Sequence, residues 1–388
     1  MEFDISWILL GFPAAFVLGW LASRFDLRQI RRENRSAPKA YFKGLNFLLN
    51  EQQDKAIDAF IEAVQNDPDT AELHFALGNL FRRRGEYSRA VRVHEHLLQR
   101  ADIGKAERDR AQHALALDFL KAGLLDRAED ALARLDDTPY ENEARLSRLA
   151  IYERAHDWPQ AVQIARQMQS NGQGDYSVRI AHYLCEQAVA QQAQGKLDAA
   201  RALLHEAQSE APRAPRPRIE LAQLQHKHGE PASALSTLLE LAAVSPSSVP
   251  LVAPLMVELA KTDDRKAEVR NLLRANYASD PSLDVMQSLV QMDELGMVPA
   301  AIPPLGREWY IEHLAHEPSL VAAGRWLAEE TLSHEEHHPA IQRALDTAAK
   351  PLTRYRCAAC GFEARQHFWQ CPGCQSWDSY PPRRVEEQ

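Results

Sequence analysis

The chain lacks the motifs that announce common enzyme chemistries. It has no glycine-rich phosphate loop, no Gly-x-Ser-x-Gly elbow and no kinase motif set. It also lacks an excess of positive charge: 45 Lys and Arg stand against 54 Asp and Glu, a formal net charge of −9. A general nucleic-acid binder would be basic, so this balance argues against nucleic acid as a partner. Cysteine is scarce, with five in 388 residues, and four of the five crowd the C-terminal end. Such clustering in a long chain reads as a metal site and not as a disulfide framework. At 45% hydrophobic and 26% charged, the rest suits a globular or repeat protein.

Long apolar runs are missing except one. Ile5 to Ser23 (ISWILLGFPAAFVLGWLAS) carries no charge over 19 residues. As a helix it would span roughly 28 Å, close to the hydrocarbon core of a bilayer. Trp7 and Trp20 lie near its ends, where aromatic rings favour the lipid–water interface, and Pro13 is tolerated within such a span. Glu2 and Asp4 precede it; Arg24, Arg28, Arg31, Arg32, Arg35 and Lys39 follow. The positive-inside rule puts residues 1–4 outside, a transmembrane helix at 5–23, and a basic juxtamembrane segment at 24–36 in the cytoplasm with everything after it. A cleaved signal peptide would need a basic n-region, and this one is acidic.

From Ala37 the sequence repeats itself. "KGLNFLLNEQQDKAIDAFIEAVQNDP" aligns with "LGNLFRRRGEYSRAVRVHEHLLQRAD", pairing Gly44 with Gly78, Phe47 with Phe81 and Ala56 with Ala90 at an offset of 34 residues. This is the tetratricopeptide period, each unit a helix–turn–helix. Units start at Ala37, Ala71, Asp109, Asn142, Ala181, Pro215 and Val249, in steps of 34, 38, 33, 39, 34 and 34 residues. The expected fold class is therefore all-α: a tetratricopeptide solenoid over 37–282 with degenerate capping helices over 283–350. "PPLGREWYIEHLAHEP" and "SLVAAGRWLAEETL" read as amphipathic helices of that cap. A solenoid presents a curved binding surface rather than a catalytic pocket. On the first helix of the second unit, Asn79, Arg82 and Arg83 are candidate contacts to an acidic segment or a terminal carboxylate. The run "RRRGEY" equally suits a solvated inter-helix turn. Cys185, in the fifth unit, reads as a packed small hydrophobe.

"HEEHH" from His334 to His338 matches the H-E-x-x-H zinc signature in letters only. That motif needs both histidines on one continuous helix, and Pro339 disfavours helical geometry at His338. It reads as a turn between two helices.

The chain closes, over 351–388, on a small metal-binding module. Cys357, Cys360, Cys371 and Cys374 are spaced C-x2-C-x10-C-x2-C. Four thiolates saturate a tetrahedral ion and leave no position for water, so hydrolytic chemistry is not expected. Both zinc and iron accept such a site; zinc would build structure, and iron would add one-electron transfer. Gly361, Pro372 and Gly373 suit the tight turns of the knuckles. Tyr355, Phe362, Phe368, Trp369 and Trp377 are too many aromatics for an exposed knuckle. A module of about 30 residues is too small to stand alone. These rings are expected to form its core and dock it onto the last helices. The rival use of the rings is base stacking, with Arg354, Arg356, Arg365, Arg383 and Arg384 as the nearby cations.

One anchor, a tetratricopeptide array and a four-Cys tail together resemble the lipopolysaccharide assembly protein B family (LapB/YciM). "GLNFLLNEQQDKAIDAF", "LGNLFRRRGE", "AGLLDRAED", "IAHYLCE" and "RYRCAACGF…WQCPGC" carry the resemblance, which extends over essentially the whole chain. It implies a rubredoxin-like metal-binding domain at the tail, with the four cysteines as ligands of one iron or zinc ion. The ten-residue gap between knuckles is shorter than in a free-standing rubredoxin. The resemblance also implies a non-enzymatic inner-membrane adaptor facing the cytoplasm. Its partners would be the membrane protease FtsH, the LpxC deacetylase whose degradation it promotes, and a YejM-type sensor. The rival class is an electron-transfer module on an interaction scaffold. Whether the chain forms a homo-oligomer is not encoded in these patterns.

Overall fold

The computed structural model describes Phe16, Val17 and Trp20 and residues 42–47, 49–50, 52–66, 70–261, 264–296, 306–328 and 336–388. The expected membrane span and basic segment otherwise lie outside the described residues. Among those residues, no helix is long and apolar enough to cross a membrane. The chain divides into two compact units, Met1–His156 and Asp157–Gln388.

In the first unit, helical residues 42–47 precede α1 (Gln53–Asn66), α2 (Ala71–Arg83), α3 (Tyr87–Gln99), α4 (Lys105–Ala122), α5 (Leu125–Ala133) and α6 (Glu141–Ala155). The helices associate through small residues that admit large ones. A Cβ on Gly44 would lie 2.9 Å from the Phe60 ring, and one on Gly78 would lie 2.5 Å from the His94 ring. Ala56, Phe60 and Ala63 of α1 pack with Leu73, Leu77, Leu80 and Phe81 of α2. Each buried Leu or Phe among them contributes about 1.5–3 kcal/mol. Helix-ending turns use the left-handed region, at Gly85 and Gly123, and at His156 where the repeat carries no glycine.

The second unit holds α7 (Trp158–Ser170), α8 (Ser177–Ala193), α9 (Leu197–Glu210), α10 (Arg216–Lys227), α11 (Pro231–Val244), α12 (Val249–Ala260) and α13 (Lys266–Ser279). Helices α14 (Leu283–Glu294), α15 (Glu308–His316), α16 (Leu320–Ala328) and α17 (His338–Ala349) follow. Pro212 and Pro246 lie just past the ends of α9 and α11, where a missing N–H costs nothing. The largest core runs from Ile219 to Ala322, with Met256, Leu273, Met286 and Trp309 fully buried. Asp293 links α14 to α15 by accepting from Trp309 Nε1 at 2.9 Å and from the Gly306 N–H at 3.1 Å. The two amphipathic segments past residue 300 form α15 and α16.

His334 and Glu335 of the H-E-x-x-H stretch lie outside the described residues. Glu336 and His337 form a turn and α17 begins at His338, whose Nε2 meets Leu327 O at 3.1 Å. The described part is thus a helix entry and not the middle of a helix.

Candidate metal centre and its dock

Two short strands open the C-terminal module. β1 (Tyr355–Arg356) pairs antiparallel with β2 (Glu363–Ala364), Tyr355 opposite Ala364. The turn between them carries the first knuckle. The Cys357 N–H donates to Phe362 O at 2.9 Å, and the Gly361 N–H donates to Cys357 O at 2.8 Å. The second knuckle repeats this geometry: Cys371 N–H to Ser376 O at 2.9 Å, Gln375 N–H to Cys371 O at 2.8 Å. The left-handed residue is Gly361 in the first (φ 78°) and Gln375 in the second (φ 61°). Gly373, expected from the sequence to suit a tight knuckle turn, brings backbone to sulfur. Its N–H points at Cys371 Sγ, 3.4 Å away, and Phe362 Cβ lies 3.4 Å from where its own Cβ would be.

All four sulfurs lie within 4.8 Å of one another, with Cys357–Cys374 at 3.8 Å and Cys360–Cys371 at 3.7 Å. A tetrahedron with metal–sulfur bonds near 2.3 Å has edges of about 3.8 Å, so the donor set fits one ion. Cys357 and Cys371 are buried, while Cys360 and Cys374 face solvent. Hydroxyls surround the sulfurs: Ser379 Oγ is 3.2 Å from Cys357 and Ser376 Oγ is 3.3 Å from Cys374. Burial opposes ionisation of Cys357, but the Ser379 hydroxyl and the Cys360 and Ala359 N–H groups outweigh it and bring the thiol down to about 6. A thiol that ionises near neutral pH is ready for a cation.

The rest of the module is spent on docking within the second unit. The Trp377 ring stacks on His182 of α8, centroids 4.8 Å apart, and meets Trp158 and Tyr183 edge-on. His182 Nε2 lies 2.8 Å from Asp378 Oδ2, and Arg216 Nη1 approaches its Nδ1 at 3.4 Å. The Nε2–H tautomer serves both, donating to the carboxylate and accepting from the guanidinium. Arg216, 4% exposed, is fixed by Glu186 at 2.6 Å and lies about 6 Å from the Trp369 and Trp377 rings.

A second contact falls on α14 and α16. Arg384 grips Asp284 with two bonds of 2.8 Å, donates to Thr353 O, and lies 4.1 Å over the Tyr355 ring. Arg383 pairs with Asp280. Glu387 accepts from the Leu283 N–H at 2.7 Å, at the start of α14. Glu386 accepts from the Leu320 N–H at 2.5 Å and from Ser319 Oγ at 2.8 Å, at the start of α16. Helix starts carry unpaired N–H groups and partial positive charge, which these carboxylates satisfy from the far end of the chain.

The sequence expectation of a dock onto the last helices therefore needs widening. The ribbon reaches back to α8 and α10, in the fifth and sixth repeats, because its two tryptophans need a buried aromatic and cationic partner. Phe362, by contrast, stays exposed at 44%. Arg383 and Arg384, considered as cations for a nucleic acid, are bound to aspartates.

The candidate groove residues lie in the first unit. Arg82 turns inward, donating to Asp118 Oδ1 at 2.9 Å, to Ala114 O at 3.0 Å and to Asn79 Oδ1 at 2.5 Å. Asp118 is fully buried, and its other oxygen meets His94 Nδ1 at 2.5 Å. Arg82 thus neutralises a buried carboxylate and Asn79 holds the guanidinium from its other side; Arg83 alone of the three is exposed. Cys185 is fully buried, and burial pushes its thiol up to about 12.

Helical hairpins repeating at this period, closed by a docked four-thiolate ribbon, define a tetratricopeptide protein with a C-terminal metal-ribbon module. The family described as "Rubredoxin metal binding domain" matches residues 355–381, and tetratricopeptide repeat families match 43–102 and 191–259. Lipopolysaccharide assembly protein B of Escherichia coli K12 is 29% identical over 97% of this chain and 98% of its own. Its namesake in Haemophilus influenzae is 25% identical over 99% of both. A solved tetratricopeptide repeat protein from Parabacteroides merdae overlays 68% of this chain and all of its own at 17% identity, with a TM-score of 0.33, too loosely to carry an argument. In its repeats, its ribbon and its full length the chain is similar to lipopolysaccharide assembly protein B.

Proposed function

We propose that this chain is a non-enzymatic adaptor in lipopolysaccharide assembly, anchored in a bacterial inner membrane by residues 5–23 with its repeats and ribbon in the cytoplasm. In this reading it brings the LpxC deacetylase to the membrane protease FtsH, under a YejM-type sensor, and so restrains lipopolysaccharide output. The observation that carries the reading is the full-length match to relatives named for lipopolysaccharide assembly, ribbon included. The architecture supports it. Repeated helix pairs build protein-binding surfaces, and four thiolates leave a tetrahedral ion no open position. The ion, iron or zinc, would be held by Cys357, Cys360, Cys371 and Cys374 and would cross-link the two knuckles. The chain's own residues do the rest: Trp377, Asp378, Arg384, Glu386 and Glu387 fix the ribbon to the helices.

An anchor raises the effective concentration of an adaptor beside a membrane protease. Deleting residues 5–23 is expected to lengthen the LpxC half-life several-fold in cells while the purified protein keeps its helical circular dichroism. Unchanged LpxC turnover by a protein that has left the membrane would overturn the adaptor reading.

A further inference from the structure

A cavity of about 410 Å³ opens where α14, α16, the end of α17 and the ribbon meet. Leu283 and Val321 give it an apolar wall, and Arg325, Lys350, Arg365 and Arg384 bring four cations to its lining. Among the described residues Asp284 is the one acidic residue in that lining, and both its oxygens are held by Arg384. The two carboxylates of the adjoining tail are committed as well, Glu387 to the Leu283 N–H and Glu386 to the Leu320 N–H.

That leaves Arg325 on α16, Lys350 just past α17 and Arg365 just past β2. All three are exposed, and among the described residues none of them is drawn into an ion pair. Three like charges from three separate elements converge here in a chain whose net charge is −9. Their mutual repulsion opposes the docking of the ribbon, and a multivalent anion would reverse its sign. The volume falls within the range of small-molecule pockets. Two guanidiniums beside an ammonium match the fork and point-charge donors that hold phosphate oxygens.

We propose that this cavity binds a small phosphorylated ligand, its phosphate or diphosphate group held by Arg325, Lys350 and Arg365 and its apolar part against Leu283 and Val321. Arg384, locked on Asp284 and Tyr355, forms the fixed wall. Because the three cations sit on solenoid and ribbon alike, the ligand fastens one to the other. The inference is independent of the adaptor reading.

The test is calorimetric titration of the full chain in detergent with inorganic pyrophosphate at constant ionic strength. Saturable binding is expected, with a rise in Tm. The double variant Lys350→Gln/Arg365→Gln, altered only at exposed side chains, should weaken the affinity at least about tenfold with its metal content unchanged. A short-chain, water-soluble phosphatidic acid titrated in parallel separates the sources: tighter than pyrophosphate for a lipid headgroup, weaker for a free solute. Absence of saturable binding to either probe, binding indifferent to the double variant, or a Tm rise reproduced by potassium chloride would each overturn the proposal.

Discussion

The imidazole of His182 and the indole of Trp377 lie face to face, ring centroids 4.8 Å apart, one in the fifth repeat and the other in the ribbon. Asp378, the next residue, takes the same imidazole at 2.8 Å. Two neighbouring ribbon residues thus hold one histidine from its face and its edge. This arrangement ties the ribbon to the helices of the second unit.

Trp377→Ala removes the stack and the edge contacts to Trp158 and Tyr183. The ring is half-buried, so the expected loss is about 2 kcal/mol, below the range for a fully buried tryptophan. Urea unfolding should show the lower midpoint. The bound metal per chain should stay at the wild-type value, because no sulfur ligand is touched. Metal lost in step with stability would mean that dock and knuckles are one cooperative element.

Metal removal should act in the other direction, from the knuckles outward. The module is too small to stay folded without its ion. Chelation, or Cys371→Ser, should release the tail and with it the carboxylates on α14 and α16. Hydrogen exchange is the readout. The Leu283, Leu320 and Val321 amides should lose protection together with the ribbon, while the Phe60 and Leu77 region of the first unit stays unchanged. Protection retained at Leu320 would show that the tail holds its place without the metal.

The features legible in the sequence were those written at fixed spacing. Gly44 and Gly78 recur because a ring from the following helix occupies the space of a Cβ, and the period exposes them. The cysteine pairs are legible because two sulfurs three residues apart can face one ion. The rest depends on partners that spacing does not reveal. Arg82 looks like a surface cation until Asp118 meets it from α4. Glu386 and Glu387 look like an acidic tail, and only the fold brings them to the starts of two helices. Gln375 adopts a glycine conformation because the Cys371–Ser376 hydrogen bond demands it, with no local residue preference to announce it.

The tail caps can be tested by themselves. Glu386→Ala leaves the Leu320 N–H and the Ser319 hydroxyl without their carboxylate, at an expected cost of about 1–2 kcal/mol. Glu386→Gln keeps an acceptor oxygen and loses the charge, so it should recover part of that loss. Exchange at Leu320 should rank wild type slowest, Gln intermediate and Ala fastest. Equal rates in the two variants would assign the effect to charge alone.

Buried histidines should make the second unit sensitive to mild acid. Burial pulls His313 below the ordinary histidine value, and it does the same to His367. Tyr277 OH lies 2.9 Å from His313 Nδ1, where it donates to a neutral ring, and His367 Nε2 lies 3.0 Å from Tyr380 O. A depressed folded pKa means that the unfolded chain takes up the proton first. The stability contributed by these neutral rings is then fully present above the unfolded value, near pH 6.5. It is lost as the pH falls from there through the folded values. Each histidine can contribute at most about 1.4 kcal/mol per pH unit in that window. Knuckle thiolates also protonate in acid, so the informative quantity is a difference. His313→Gln keeps an acceptor for Tyr277 and removes one titration. Denaturant unfolding between pH 7.5 and 5.5 should give it a shallower pH slope than wild type; parallel slopes would remove His313 as a source of the acid sensitivity.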